Sequence, residues 1–113
     1  MLTAFLWTLT EIGGEPAGVE GIRAPELQFD DGEMQLSGFT GCNRLAGAFE
    51  LRGDRLSLSE PLMTTRMACA DPRGGELERR FVELLARVDR FSTEGGMLTL
   101  YDGEEPLARF SRP

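Results

Sequence analysis

The sequence predicts an α+β domain, mainly antiparallel β, with about seven or eight strands in a barrel-like sheet and one α-helix over about residues 72–89. Three observations carry this expectation. Short runs of alternating apolar residues are separated by turn dipeptides, among them Asp31-Gly32, Gly53-Asp54, Gly95-Gly96 and Asp102-Gly103. Clear helical periodicity appears in one stretch, where Leu77, Phe81, Leu84, Leu85 and Val88 fall on a single stripe. The 113 residues suffice for a single domain, residues 1–113, with one core. Closing the sheet into a barrel or half-barrel, with the helix over one end or face, would hide its edges.

Taken in order, residues 3–10 place Phe5, Trp7 and Leu9 on one face of a first strand. Residues 11–25 hold four glycines and two prolines and read as a loop, anchored by Val19 and Ile22. Leu27 and Phe29, then Met34 and Leu36, flank Asp31-Gly32 as a hairpin expected to turn in type I′ geometry. Phe49 and Leu51 lead through Gly53-Asp54 into a return strand with Leu56 and Leu58, which Pro61 ends. Residues 62–70 are a strand or extended segment. Asp71 is placed as an N-cap, with Pro72 at the first helical position. Glu76 and Glu78 sit early in the helix and Arg87 and Arg90 late, which suits the macrodipole. The pairs Glu76/Arg80 and Glu83/Arg87 are spaced to add roughly 0.2–0.5 kcal/mol each. Strands around Phe91, Leu98 to Leu100 and Leu107 to Phe110 complete the chain. Residues 27–39 also align without gaps on residues 98–110, either because two Asp-Gly hairpins with a buried face converge or because an old duplication persists.

Composition narrows the function classes. The net charge is -7, with 12 basic residues, all arginine, against 19 acidic ones. An acidic surface repels phosphate backbones, so no nucleic-acid partner is expected. The absence of histidine removes Ser-His-Asp and Cys-His chemistry and every histidine-containing metal site. Two cysteines alone cannot build a structural zinc site, and no cofactor or metal is expected. The carboxylates at the hairpin tips, Asp30, Asp31 and Glu33 and again Asp102, Glu104 and Glu105, fit solvated turns better than a weak Ca²⁺ site. No apolar run has the length of a transmembrane helix, so no integral membrane segment is expected. The N-terminus lacks the pattern of a signal peptide.

Residues 38–49 stand out. They hold Gly38, Gly41 and Gly47, Cys42, and Asn43, the single asparagine of the chain. Three glycines in ten residues mark a backbone that bends tightly or lies close to something. Read with Thr65-Arg66-Met67-Ala68-Cys69 and the acidic helix start carrying Glu78 and Phe81, the stretch closely resembles the META domain (HslJ-like) family. Trp7, Thr8 and Leu9, the Leu27 and Phe29 strand, residues 97–100 and the last strand ending at Phe110 match as well, so the resemblance spans the whole chain in order.

The resemblance implies a compact, mainly antiparallel β fold with one helix. Many members are small bacterial envelope proteins or lipoproteins, and others are linked to heat shock, antibiotic tolerance, or motility and secretion. It supplies no catalytic mechanism. The expected function is therefore that of a non-enzymatic domain in cell-envelope or stress maintenance. It would act as a monomer through contacts with an unknown protein partner. Location in the envelope or periplasm is implied if a signal segment has been removed, and in the cytoplasm otherwise. A barrel binding a small apolar ligand is the alternative, and a thiol redox protein a third.

Each cysteine closes one family motif, which brings Cys42 and Cys69 together as a disulfide, as two buried thiols, or as a redox pair. Asn43 either ties backbone groups in a tight turn or contacts a ligand. Thr65 and Arg66, beside Gly38, Gly41, Asn43 and Gly47, form the candidate contact patch.

Overall fold

A computed structural model describes residues 2–59 and 62–113. The expected strand end at Pro61 lies outside these residues. Ten strands are present among the described residues: β1 (Leu6–Ile12), β2 (Glu15–Pro16), β3 (Glu26–Asp30), β4 (Gln35–Phe39), β5 (Arg44–Arg52), β6 (Arg55–Leu58), β7 (Met63–Thr64), β8 (Arg90–Glu94), β9 (Met97–Asp102) and β10 (Glu105–Ser111). The helix α1 (Pro72–Leu85) enters between β7 and β8, and a 3₁₀ turn (Leu2–Ala4) precedes β1.

Eight strands form a closed antiparallel barrel in the order β10-β9-β8-β6-β5-β4-β3-β1, sealed by β1 against β10. The two short strands are extras: β2 pairs with the end of β1, and β7 with the start of β5. Closure removes the exposed edges that an open sheet of this size would carry.

Alternation along each strand sends one face inward. Trp7, Leu9, Leu27, Phe29, Leu36, Leu45, Phe49, Leu56, Leu98, Leu100 and Phe110 are all buried. Phe29 and Phe49 meet edge to face, 5.1 Å between centroids. The helix lays Leu77, Phe81, Leu84 and Leu85 onto this core, with Phe81 6.1 Å from Phe110. It covers the end where β1 finishes, with Arg80 against Gly13 and Leu77 against Gly41. The 3₁₀ turn serves the opposite end. Leu2 is buried there, and its carbonyl accepts the Trp7 indole N–H at 2.8 Å. Trp7, Phe29, Phe49, Leu56 and Phe81 thus fill the interior, and the idea of a ligand held inside the barrel loses its space. Among the described residues, no helix is long and apolar enough to cross a membrane.

Several local expectations are corrected. The helix ends at Leu85 rather than 89. Arg87 N–H already bonds the Leu84 carbonyl, a tightened last turn that still buries Val88. Arg87 and Arg90 therefore lie beyond the helix and do not complement its dipole. The first strand starts later and runs to Ile12, and Ala17 rather than Val19 is buried in the following loop. The Asp31-Gly32 hairpin is not a type I′ turn. Asp30 pairs with Gln35, leaving a four-residue connection in which Met34, not Gly32, takes positive φ (53°). Gly95-Gly96 does supply a two-residue turn, with both φ positive. The helix ion pairs also differ. Arg79 bridges Glu76 and Glu83, because Arg80 turns toward the barrel and Arg87 reaches Asp102 and Glu105 across the β9–β10 turn.

Candidate functional site

The two sequence motifs meet at the helix-covered end. Residues 40–43 connect β4 to β5, and residues 65–69 run from β7 toward the helix. β7 holds the second segment in place, with Leu45 opposite Thr64 and the Thr65 N–H bonded to the Arg44 carbonyl. Cys42 and Cys69 are joined as a disulfide, with S–S 2.03 Å and Cα atoms 5.6 Å apart.

Asn43 is buried at the centre of this corner. Its side-chain oxygen accepts from the Thr65 hydroxyl and from the Met67 N–H, both at 2.9 Å. Its amide nitrogen donates to the Met67 carbonyl at 3.2 Å and to a Glu78 carboxylate oxygen at 3.1 Å. A side-chain amide offers two donors and two acceptor sites, so the hydrogen-bonding capacity of Asn43 is consumed within the fold. The sequence offers a tie within the tight turn or a ligand contact; the side chain instead joins the turn to residues 65–67 and to Glu78.

Glu78 and Thr40 complete the network, and sequence reasoning gave neither a site role. Thr40 is fully buried. Its hydroxyl oxygen accepts from the backbone N–H of Asn43 at 2.8 Å and of Cys42 at 3.2 Å. Its single proton has two acceptors in reach, the Asn43 carbonyl and Glu78. The Thr40 backbone N–H already serves that carbonyl at 2.8 Å, so the hydroxyl proton is best used on the Glu78 carboxylate. Glu78 lies between Leu77 and Phe81 on the inward side of α1, which brings a half-buried carboxylate to the corner. That position beside the apolar stripe, together with its place in the helix-start motif, was the available signal for Glu78.

The helix approaches closely because Gly74 faces the turn. A Cβ on Gly74 would stand 3.0 Å from the Gly41 carbonyl. The helix start is fixed by Asp71, whose carboxylate accepts the Arg73 N–H at 2.9 Å. Hydrogen bonds from the Arg73 guanidinium, then from its backbone, pull the Asp71 carboxyl down to about 2.

The remaining predicted positions divide. Gly38 lies inside β4, where a Cβ would run 2.3 Å from the Glu26 carbonyl. Gly47 lies inside β5 beneath Leu62. Both let neighbouring chain pack closely and neither offers a contact group. Thr65 is bonded to Asn43 through its hydroxyl, and both it and Arg66 beside it are exposed. The hairpin-tip carboxylates serve turns and ion pairs: Asp30 accepts from Gly32 N–H, and Asp102 and Glu105 meet Arg87.

Outside the barrel, across β3, β4, β5 and β7, lies an open groove of about 600 Å³ whose lining includes Leu6, Phe39, Ala46 and Met63. Met63 is 75% exposed and Leu6 37%. Arg23 stacks over the Phe39 ring at 4.4 Å, and Arg44 also lines the groove. The corner can therefore brace the fold, while the groove offers apolar surface rimmed by Arg44 and by the ion-paired Arg23 and Glu26 to another molecule.

Comparison with known proteins agrees with this architecture. A family model described as META domain matches residues 1–113. Heat shock protein HslJ of Escherichia coli (strain K12) is 30% identical over 101 residues, covering 89% of this chain and 69% of the relative. A protein from Burkholderia xenovorans, solved by NMR, superposes with a TM-score of 0.76 at 28% identity, covering 99% of this chain and 83% of that one. A second NMR structure gives 0.72 at 28% identity, covering 97% and 91%. A DUF4847 family protein from Bacteroides vulgatus shares the fold, with a TM-score of 0.70 at 13% identity over 100% of this chain and 95% of that one. With a match over its full length and a curated relative at this identity, the chain belongs to the META domain family.

Proposed function

We propose that this domain works without catalysis, as a monomer that maintains the bacterial cell envelope under stress through contacts with a protein partner. The observation that carries the reading is the Cys42–Cys69 disulfide, since such cross-links persist in oxidising compartments outside the bacterial cytoplasm. The name of the relative, a heat shock protein, supports the stress role. The absence of histidine and the internally spent hydrogen bonds of Asn43 support a domain without catalytic machinery. Surface contacts then fall to the groove bearing Leu6, Phe39 and Met63.

The test follows the native protein in its own cells. It should fractionate with the envelope, resist alkylation at both cysteines until reduced, and rise in abundance on heating. A deletion strain should lose viability under heat or envelope stress. Wild-type protein should rescue that strain, and a Met63→Asp variant of unchanged Tm should not. Recovery from the cytoplasm with both thiols alkylated, or a deletion strain with ordinary stress survival, would overturn the reading.

A further inference from the structure

We propose that the corner is also a latent metal site: once the disulfide is reduced, Cys42, Cys69 and Glu78 hold a thiophilic divalent cation of the Zn²⁺ class. The two sulfurs and a Glu78 carboxylate oxygen all lie within 4.8 Å of one another, and all three residues are half-buried. Two thiolates and a carboxylate are ligands that Zn²⁺ accepts, and three protein ligands leave a fourth tetrahedral position for water. Around one such ion the two sulfurs stand roughly 3.8 Å apart, a separation that side-chain rotation reaches.

The surroundings suit this role. Glu78 is oriented by the Thr40 hydroxyl and the Asn43 amide, the kind of outer hydrogen bonding that fixes a metal-ligating carboxylate. Asn43 Nδ2 lies 3.5 Å from Cys42 Sγ, so the positive end of the amide dipole sits beside an anionic sulfur while its two protons serve Met67 and Glu78. Cys69 Sγ packs against Gly75 in the first turn of α1, where the positive end of the helix favours an anionic sulfur. The sequence offers two cysteines too few for a structural zinc site, and the fold brings a carboxylate from the helix to join them.

The chemistry balances through an external dithiol reductant. It delivers two electrons and two protons to the disulfide, giving two thiols, and leaves as a disulfide itself. The cation then displaces the two thiol protons to solvent. The envelope proposal concerns the oxidised protein, so either can fail without the other.

The experiment titrates the whole chain, reduced with a phosphine and kept anaerobic, with Cd²⁺ as an absorbing probe and with Zn²⁺ by calorimetry. One equivalent should bind, with sulfur-to-cadmium charge-transfer absorption. Cys42→Ser and Cys69→Ser should each lose stoichiometric binding. Glu78→Gln should weaken it by about tenfold or more. Glu78→Cys, which supplies a third sulfur, should intensify the absorption and decides the matter if Glu78→Gln does not fold. Zn²⁺ should raise the Tm of the reduced protein and leave the oxidised protein unmoved; if reduction unfolds the chain, Zn²⁺ should restore a cooperative melt. Uptake below one equivalent, equal binding by the oxidised protein, wild-type affinity in folded Glu78→Gln, or a reduced chain whose melting ignores Zn²⁺ would each overturn the proposal.

Discussion

The corner around Asn43 and the seam between β6 and β8 close the same barrel by opposite means. At the corner, β4 and β5 share five paired positions through a short turn, and a disulfide and a polar network are added to the ladder. At the seam, β6 and β8 share one pair, Arg55 with Arg90, supported by Leu56 N–H to the Asp89 carbonyl and Phe91 N–H to the Asp54 carbonyl. The cause is connectivity. β7 and α1 intervene between β6 and β8, so no hairpin sets their register. Packing compensates: Leu56, Leu85 and Val88 are buried beside the seam, and Arg90 lies 4.1 Å over the Tyr101 ring while donating to the Gly103 carbonyl. One wall is held by directional bonds between distant segments, the other by apolar contact from the helix.

The largest test of this contrast is to open the cross-link. The disulfide spans 27 positions in sequence, and on the chain-entropy estimate its loss costs about 3.5 kcal/mol. Denaturant unfolding with and without reductant measures it, and a change under about 1 kcal/mol would mean the corner does not depend on its clamp. Asn43→Ala should cost about 3 kcal/mol, because it empties a buried site, removes the partner of the Met67 N–H and the Thr65 hydroxyl, and leaves Glu78 with Thr40 alone. Thermal melts of the oxidised variant check this. At the seam, Arg90→Ala removes a cation–π contact, one hydrogen bond and a surface ion pair with Asp54, and should cost about 1 kcal/mol. A loss equal to that of Asn43→Ala would erase the contrast.

Native-state hydrogen exchange refines the comparison. The Leu56 and Phe91 amides should exchange before those of Thr40 and Asn43. Reduction should speed the second pair and leave the first unchanged. The smallest expected effect is acid sensitivity at the helix start. The folded Asp71 carboxyl is lowered from 3.8 to about 2. Its contribution is therefore fully present above pH 3.8 and fades as pH falls through about 2. The Tm difference between wild type and Asp71→Asn should shrink over that window, and a constant difference would remove Asp71 from the account.

Much of the barrel was legible because hairpins are local. The turns at Gly53-Asp54 and Gly95-Gly96 lie where sequence placed them, and the Leu77, Phe81 and Leu84 stripe reaches the core as its spacing implies. The Asp31-Gly32 turn misled because strand register, not the dipeptide, set the loop length and moved the positive φ to Met34. Residues 27–39 and 98–110 form two hairpins that differ in the same way. β3–β4 pairs without interruption, whereas β10 shifts register between Pro106 and Ala108, a difference that favours convergence of two turns over an old duplication. The polar corner was harder to foresee. Thr40 and Asn43 meet Glu78 across 38 and 35 positions, and no local period encodes such a contact. The closing ladder of β1 with β10 is longer-ranged still, Thr8 facing Ser111.

That last pairing also fixes how the domain would be tethered. The Arg112 guanidinium lies 4.7 Å over the Phe5 ring, so the two chain ends leave the barrel side by side. They do so at the pole closed by Leu2, away from the helix. A leader, anchor or neighbouring domain joined at either terminus would depart from this one pole. The disulfide-braced pole would point outward on its stalk, whichever end carried the attachment.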